Sequence, residues 1–365
     1  MIIFLYLCTD ITQQRNNMEN PFVFGKAAEG AYFTDRVEDS KRLAANLTHG
    51  INTVLISPRR WGKTSLVKKV ISETSSEDVK FIFIDVFQCK SEYDFFRNYA
   101  NEVIKQTSSK IDEWVEMAKN FQNPETVESI LALPEKLAVK KNKRIVVCLD
   151  EFQQIADFAD STSFQKRLRT AWQHQQHTTY CMFGSKKHLM EYIFNDKSMP
   201  FYKFGDMIFL NKISTEDWTK YICRQFHVTG KTINEDQAEK ICNLTENLSS
   251  YVQHLSWIVW YKTDRVVTNK IINDALDDIL EQNKVFFQRE VEQLTELQLN
   301  FLKALACGVT SGFSRKEVIQ KYRLESSANI QSVKKALLKK DLIYIDDVTI
   351  VFDDPLMKLW IKREF

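Results

Sequence analysis

The chain has 365 residues, of which 44% are hydrophobic and 27% charged, and its formal net charge is +2. This length exceeds one small core and predicts two or three compact domains. The average composition excludes a disordered or fibrous protein, and the small net charge excludes a global field that would hold the molecule on nucleic acid or an anionic membrane. Any contact of that kind must come from a local surface.

The N-terminus and the cysteines indicate a cytoplasmic protein. Seven dispersed cysteines without a CxxC pair are typical of reduced thiols in a core. The apolar run of residues 2–8 is too short to span a membrane and lacks the features of a cleaved signal. The polar run before Met18 has no periodicity, so we expect Met18 to be the natural start and residues 1–19 to be a non-native or disordered extension.

Short apolar strands alternate with helices between residues 20 and 212. The predicted strands are residues 52–56, 81–87, 145–149, 179–183 and 207–210. The predicted helices cover residues 35–47, the segment ending near 74, residues 91–119, the segment ending at 140, residues 164–174 and a segment from 185. This alternation predicts an α/β domain over residues 20–212, with a parallel sheet covered by helices on both faces.

The rest of the chain predicts two further domains. Helices at residues 216–226, 235–245, 250–262 and 270–281 form a helical lid, assigned to residues 213–290. Helices at 297–306, 314–322 and 327–339 are followed by strands at 342–345 and 349–352 about an Asp346-Asp347 turn. Three helices and a hairpin are the order of a winged-helix domain, assigned to residues 291–365.

Residues 57–64, SPRRWGKT, match the P-loop pattern GxxxxGK[ST] except that serine replaces the first glycine. The segment follows a predicted strand and opens a predicted helix, where backbone N–H groups and the helix dipole favour a bound phosphate. Lys63 would contact the β and γ phosphates of ATP, and the Thr64 hydroxyl would bind Mg²⁺. Pro58 favours an extended conformation at Ser57, so we expect an intact loop. The predicted nucleotide-binding residues here are Ser57, Pro58, Arg59, Arg60, Trp61, Gly62, Lys63, Thr64 and Ser65.

A second motif, residues 145–151 with the sequence IVVCLDE, is a buried strand that ends in two carboxylates. In open α/β sheets, ligands bind at the carboxyl ends of the strands. Asp150 would therefore hold Mg²⁺, and Glu151 would orient and polarise the attacking water. The alternative is a strand that ends in a solvated acidic turn, and the combination with Lys63 and Thr64 disfavours it.

The chain resembles the archaeal-type ATPases within the AAA+ and STAND group of P-loop NTPases. The strings that carry the resemblance are NPFVFG, FTDRVEDSKRL, SPRRWGKTSL, VVCLDEFQ, the GS at residues 184–185, and PFYKFG. The resemblance implies a five-stranded parallel sheet, a helical lid and a C-terminal winged helix, in agreement with the domains predicted above.

The resemblance also implies roles for single residues. Asp35 and Arg36 would lie beside the adenine, although Asp35 would serve equally as a helix cap. Ser185 would be the sensor 1 residue at the γ phosphate or the attacking water, with an N-cap as the alternative. Arg169 and Lys203 are candidates for an arginine finger, and a solvated surface charge is the alternative for each.

The lid departs from better-known AAA+ sequences. A sensor 2 arginine is not evident, and Gln253 and His254 occupy the expected helix face. The lid aromatics Trp257, Trp260 and Tyr261 have helical spacing and are predicted to be lid core rather than a platform for bases.

The combined motifs predict an ATPase that hydrolyses ATP with Mg²⁺ and acts as a motor or switch coupled to the winged helix. Two alternatives remain open: a DNA-binding regulator with slow turnover, and a protein-interaction switch in defence or signalling. The third helix of the winged-helix domain has a basic edge suited to duplex DNA, formed by Gln331, Lys334, Lys335, Lys339 and Lys340. Acidic residues at 346–347 and 353–354 oppose DNA binding and favour a protein partner. A homo-oligomer is a further possible assembly, and the sequence leaves the oligomeric state open.

Overall fold

The computed structural model describes residues 20–107, 124–346 and 348–365. The extension expected at residues 1–19 and the helix expected to continue over residues 108–119 lie outside the described residues. The chain divides into two compact units, one formed by residues 27–211 and the other by residues 20–26 with 212–365.

The unit of residues 27–211 contains a five-stranded parallel sheet, and the strand order is β2-β3-β4-β1-β5. The strands are β1 (Thr53–Ile56), β2 (Val79–Asp85), β3 (Arg144–Asp150), β4 (Thr178–Gly184) and β5 (Asp206–Phe209). The helices are α1 (Val37–Thr48), α2 (Lys63–Thr74), α3 (Glu92–Thr107), α4 (Pro124–Leu131), α5 (Leu133–Lys141), α6 (Ser161–Trp172) and α7 (Lys187–Asn195). The predicted α/β fold class is confirmed.

Both faces of this sheet are covered, because alternate side chains of a strand enter two different cores. In β3, Ile145, Val147 and Leu149 pack in one core, whereas Val146 and Cys148 pack in the other. Every residue from 145 to 149 is therefore buried, which explains the continuous apolar run in the sequence.

Several boundaries differ from the predicted ones for local reasons. The single helix predicted to end at residue 140 is two helices, and Pro134 lies in the first turn of the second, where its missing N–H is tolerated. Helix α6 begins at Ser161 because Asp160 accepts a hydrogen bond from the Ser163 N–H. The helix expected from Ser185 begins at Lys187.

The second unit begins with four helices, α8 (Thr215–Val228), α9 (Glu235–Leu244), α10 (Ser249–Lys262) and α11 (Asn269–Glu292). The last of these is 24 residues long and includes residues 290 and 291, the boundary assigned between lid and winged helix. That division of the unit stays a proposal. The expectation of lid core is wrong for Tyr261, whose side chain is 71% exposed and stacks on the half-buried Trp257.

The C-terminal part consists of α12 (Glu296–Ala306), α13 (Lys316–Tyr322), α14 (Ser327–Lys339), β6 (Ile343–Asp346), β7 (Thr349–Phe352) and α15 (Pro355–Glu364). The strands β6 and β7 form the antiparallel hairpin of a winged helix. Helix α15 is absent from the predicted elements, which assign Asp354 to the acidic wing. This was wrong, because Asp354 is the N-cap of α15 and accepts hydrogen bonds from the Leu356 and Met357 N–H groups.

Candidate nucleotide site

Three strand ends meet at one edge of the parallel sheet, because β4 lies between β3 and β1. The loop of residues 57–62 leaves β1 and leads into α2 at Lys63. Asp150 and Glu151 end β3, and Gly184 and Ser185 end β4. The predicted site residues of the P-loop, of the strand ending at Asp150 and of the GS pair therefore lie together at one edge of the sheet.

The predicted P-loop curves around the Lys63 ammonium group. Lys63 is 6% exposed, and its Nζ donates to the carbonyl oxygens of Ser57 at 2.8 Å and Pro58 at 2.7 Å. Gly62 has a φ of 93°, which favours glycine, and Arg60 also has a positive φ of 64°. The described residues with positive φ do not include Ser57, so serine fits the first position of the motif without backbone strain.

Two oxygen ligands suited to a magnesium ion lie side by side. The Thr64 hydroxyl donates to Asp150 Oδ2 at 3.0 Å, and Asp150 Oδ1 accepts from the Glu151 N–H at 2.8 Å. Burial raises the pKa of Asp150 to about 6, and the Thr64 hydrogen bond partly opposes that rise. A hydroxyl and a carboxylate at this separation fit Mg²⁺, which takes a few hard oxygen ligands from the protein and keeps several waters.

The Glu151 carboxylate is held by two donors. Its Oε2 accepts from the Ser185 hydroxyl at 2.8 Å and from Gln153 Nε2 at 2.5 Å. Arg59 Nε in turn donates to Ser185 Oγ at 3.3 Å, which links the P-loop to the ends of β3 and β4. The alternative of Ser185 as an N-cap is wrong, because the cap position of α7 is Lys186 and it makes no side-chain cap bond.

Arg36 lies against the P-loop backbone. Its Nη2 donates to the Trp61 carbonyl at 2.8 Å and its Nη1 to Asp39 at 3.2 Å, and only 5% of Arg36 is exposed. Burial lowers the pKa of the Arg36 guanidinium. The alternative of Asp35 as a helix cap is wrong, because Arg36 is the cap position of α1 and no side chain caps it.

Ser65, the third residue of α2, contacts the segment before α1. Its Oγ accepts a hydrogen bond from the Ala28 N–H at 2.9 Å, which fastens the segment before α1 to the start of α2.

Comparison with known families identifies this arrangement. A model of an ATPase domain predominantly from Archaea matches residues 33–255, more than half of the chain. The chain belongs to this ATPase family. A model of a winged helix domain matches residues 285–363 of this ATPase. Comparison of the ATPase with curated proteins gave no match.

Solved structures share the fold of this ATPase at low sequence identity. The Walker-type ATPase Paby2304 of Pyrococcus abyssi is 16% identical, with a TM-score of 0.70 over 94% of this chain and 99% of that chain. The ORC2 protein of Aeropyrum pernix, in ADPNP-ADP complexes, is 15% identical, with a TM-score of 0.63 over 95% of this chain and 97% of that chain. These matches confirm the predicted P-loop ATPase fold.

The candidate arginine fingers of the ATPase lie at the opposite edge of its sheet. The Arg169 guanidinium lies over the Phe204 ring at 4.6 Å, and burial lowers its pKa. Phe204 lies two residues before β5, beside the amino end of β1. The Asp206 N–H, at the start of β5, donates to the carbonyl of Asn52, which directly precedes β1. Lys203 is exposed, with its Nζ over the Tyr202 ring at 5.4 Å. Neither cation lies at the carboxyl edge with the P-loop of its own chain.

Gln253 and His254, the two residues expected at the sensor 2 positions, make their contacts within their own unit of the ATPase. Gln253 Oε1 accepts from the Val23 N–H at 3.2 Å, and the His254 ring stacks on Phe24 at 4.1 Å between centroids. Burial lowers the pKa of His254.

In the part of the chain that the structure describes, the ATPase has no helix that is both long and apolar enough to cross a membrane.

Gln153 is a residue of the site that the sequence did not predict. Gln153 lies in the string VVCLDEFQ, but its side chain could be placed beside Glu151 only when the turn after β3 was known.

Proposed function

We propose that this protein binds ATP with Mg²⁺ and hydrolyses it to ADP and phosphate. The observation that carries the proposal is the convergence of Lys63, Thr64, Asp150 and Glu151, with Thr64 and Asp150 in contact at 3.0 Å. A magnesium ion held by these two residues would neutralise charge on the β and γ phosphates.

The chain's own residues have separate tasks in this reaction. Lys63 exchanges the carbonyls of Ser57 and Pro58 for phosphate oxygens when ATP enters the loop. Glu151 orients a water whose oxygen forms a bond to the γ phosphorus as the bond to the β–γ bridging oxygen breaks, and the carboxylate accepts the water proton. Ser185 Oγ, which already contacts Glu151, is placed to contact the same water or the γ phosphate.

Two variants test binding and hydrolysis separately. We expect Lys63→Ala to abolish ATP binding, because the cation in the phosphate cradle is lost. We expect Glu151→Gln to retain ATP binding and lose hydrolysis, because Glu151 acts on water. Binding is measured by calorimetry and turnover by phosphate release. Equal ATP affinity of Lys63→Ala and the wild type would contradict the P-loop assignment.

A second candidate function is weak binding of duplex DNA by the winged helix. Lys335 and Lys339 are exposed one turn apart on α14, and among the described residues no carboxylate pairs with either of them. Asp354 does not belong to the wing, since it is engaged as the N-cap of α15. Asp346 and Asp353 still favour a protein partner, and that alternative stays open. The stimulation of ATP turnover by duplex DNA separates a DNA-coupled motor from a slow switch.

A further inference from the structure

Gln153 is a buried residue that no step of the proposed hydrolysis uses. It lies in the 3-10 helix Phe152–Asp157, directly after Glu151, and is 3% exposed. Its Nε2 lies 2.5 Å from Glu151 Oε2. The amide orientation follows from chemistry, because rotating the amide by half a turn would place its oxygen against a carboxylate, and neither group could donate.

Gly184 makes room for this amide. A Cβ on Gly184 would lie 1.8 Å from Gln153 Oε1, 3.0 Å from Gln153 Cδ and 3.0 Å from Met190 Sδ. The φ of Gly184 is outside the left-handed region, so the backbone does not require glycine there. Space for the Gln153 amide is therefore the main reason for glycine at the end of β4, since its clash is by far the more severe.

The two donors engage the same oxygen of Glu151. Gln153 Nε2 and Ser185 Oγ both donate to Oε2, and the described residues offer no hydrogen bond to Oε1. One carboxylate oxygen is thus fixed by the protein, and the other is left to accept a proton from water.

We propose that Gln153 is a positioning residue that aims the Glu151 carboxylate at the attacking water, and that Gly184 is required because it accommodates Gln153. This rests on the proposed hydrolysis of ATP. In this proposal Gln153 acts through Glu151, which its amide contacts, and has no effect of its own on the phosphate cradle of Lys63.

The first test removes the donor and keeps the shape. Gln153→Met has similar length and volume and cannot donate, so we expect kcat to fall about tenfold to a hundredfold because the base is misplaced. The KM and Kd for ATP should stay within about twofold of the wild-type values, since the substitution leaves the P-loop unchanged. Gln154→Met is the matched control, because Gln154 lies one residue along the same 3-10 helix and contacts Asp157. It should retain the wild-type kcat.

The second test is a double-mutant cycle. Gly184→Ala should lower kcat in the wild type, because its methyl group displaces the Gln153 amide. In a Gln153→Ala background the same substitution should lower kcat much less, because the one close atom that remains, Met190 Sδ at 3.0 Å, belongs to a flexible side chain that can shift. Melting temperatures of the same four proteins, without nucleotide, should show the same coupling.

The outcomes separate the two proposals. The Glu151→Gln rate serves as the baseline. If the wild type turns over ATP no faster than that baseline, both the proposed hydrolysis and this inference are overturned. A wild-type rate above the baseline, together with an unchanged kcat in Gln153→Met, overturns only the role of Gln153. Equal effects of Gly184→Ala in both backgrounds overturn the link between Gly184 and Gln153.

Discussion

Asp150 is a carboxyl group whose burial opposes the charge that its proposed function requires. Its pKa of about 6 in the folded protein lies above the ordinary 3.8. The folded state therefore favours the protonated form. This contribution to stability is complete below pH 3.8 and is lost as the pH rises through about 6. At neutral pH the ionised, metal-free carboxyl lowers the free energy of unfolding by up to about 3 kcal/mol.

Asp150→Asn should accordingly stabilise the protein in magnesium-free buffer. We expect a higher melting temperature than the wild type at pH 7.5 in EDTA, and a gain that shrinks towards pH 4, where the wild-type carboxyl is protonated. Asp157→Asn changes an exposed carboxyl nearby and serves as the control. With Mg²⁺ and ATP the order should reverse, because only the wild type retains the carboxylate ligand. Equal melting temperatures at pH 7.5 in EDTA would contradict the burial effect.

Glu151 illustrates a backbone conformation that side-chain contacts support. Its φ of 52° is in the left-handed region, which is unfavourable for a residue with a Cβ and commonly occurs at functional sites. The turn directs the Glu151 carboxylate towards Ser185 and Gln153. The residue that acts on water is therefore positioned by the turn and by its two neighbours together.

At the scale of elements, α14 carries the lysines on which the proposed binding of DNA depends. Lys335 and Lys339 lie on one exposed stripe, whereas Lys334 is half-buried and less available to a phosphate. Lys335→Glu with Lys339→Glu should weaken duplex binding whatever the base sequence. It should also reduce the slope of log affinity against log salt by roughly 2, one for each lost phosphate contact.

The control for this experiment matches the change in charge. Lys136→Glu with Lys140→Glu reverses two exposed lysines, also one turn apart, on α5 of the ATPase unit. Fluorescence anisotropy with labelled duplex measures both pairs at low salt. Equal weakening by the two pairs would mean a nonspecific charge effect, and absence of binding by the wild type would favour a protein partner.

At the scale of the whole molecule, the positions of Arg169 and Lys203 bear on the oligomeric state. Both lie near the amino edge of the sheet, whereas the P-loop is at the carboxyl edge. β1 alone spans about 13 Å between these edges. A finger from this region could therefore serve only the site of a neighbouring molecule.

Mixing two inactive variants tests this arrangement. Lys203→Ala or Arg169→Ala keeps an intact nucleotide site and loses the finger, whereas Glu151→Gln keeps the finger and loses the base. We expect turnover by the wild type to rise with protein concentration, and the mixture to be more active than the sum of its components. Concentration-independent turnover of the wild type and both finger variants would contradict a finger in trans.

The sequence alone predicts the features that depend on neighbours along the chain. The βαβ alternation, the P-loop and the strand that ends at Asp150 are local patterns, and the parallel sheet follows because strands separated by long helices cannot pair as hairpins. The preference of Pro58 for an extended residue before it also indicates that serine is tolerated at position 57. Local patterns were insufficient at α15, because Asp354 suits both an acidic loop and a helix N-cap.

Only the tertiary structure decided how distant segments share one site. Gln153 and Gly184 belong to different strand ends, and the 1.8 Å clash of a Cβ with the Gln153 amide arises only when β3 and β4 lie side by side. Arg36 likewise meets the Trp61 carbonyl across 25 residues of chain. A sequence pattern records preferences over a few residues, whereas the distance between two such atoms is set by the packing of whole strands and helices, and that packing determined which side chains hold Glu151.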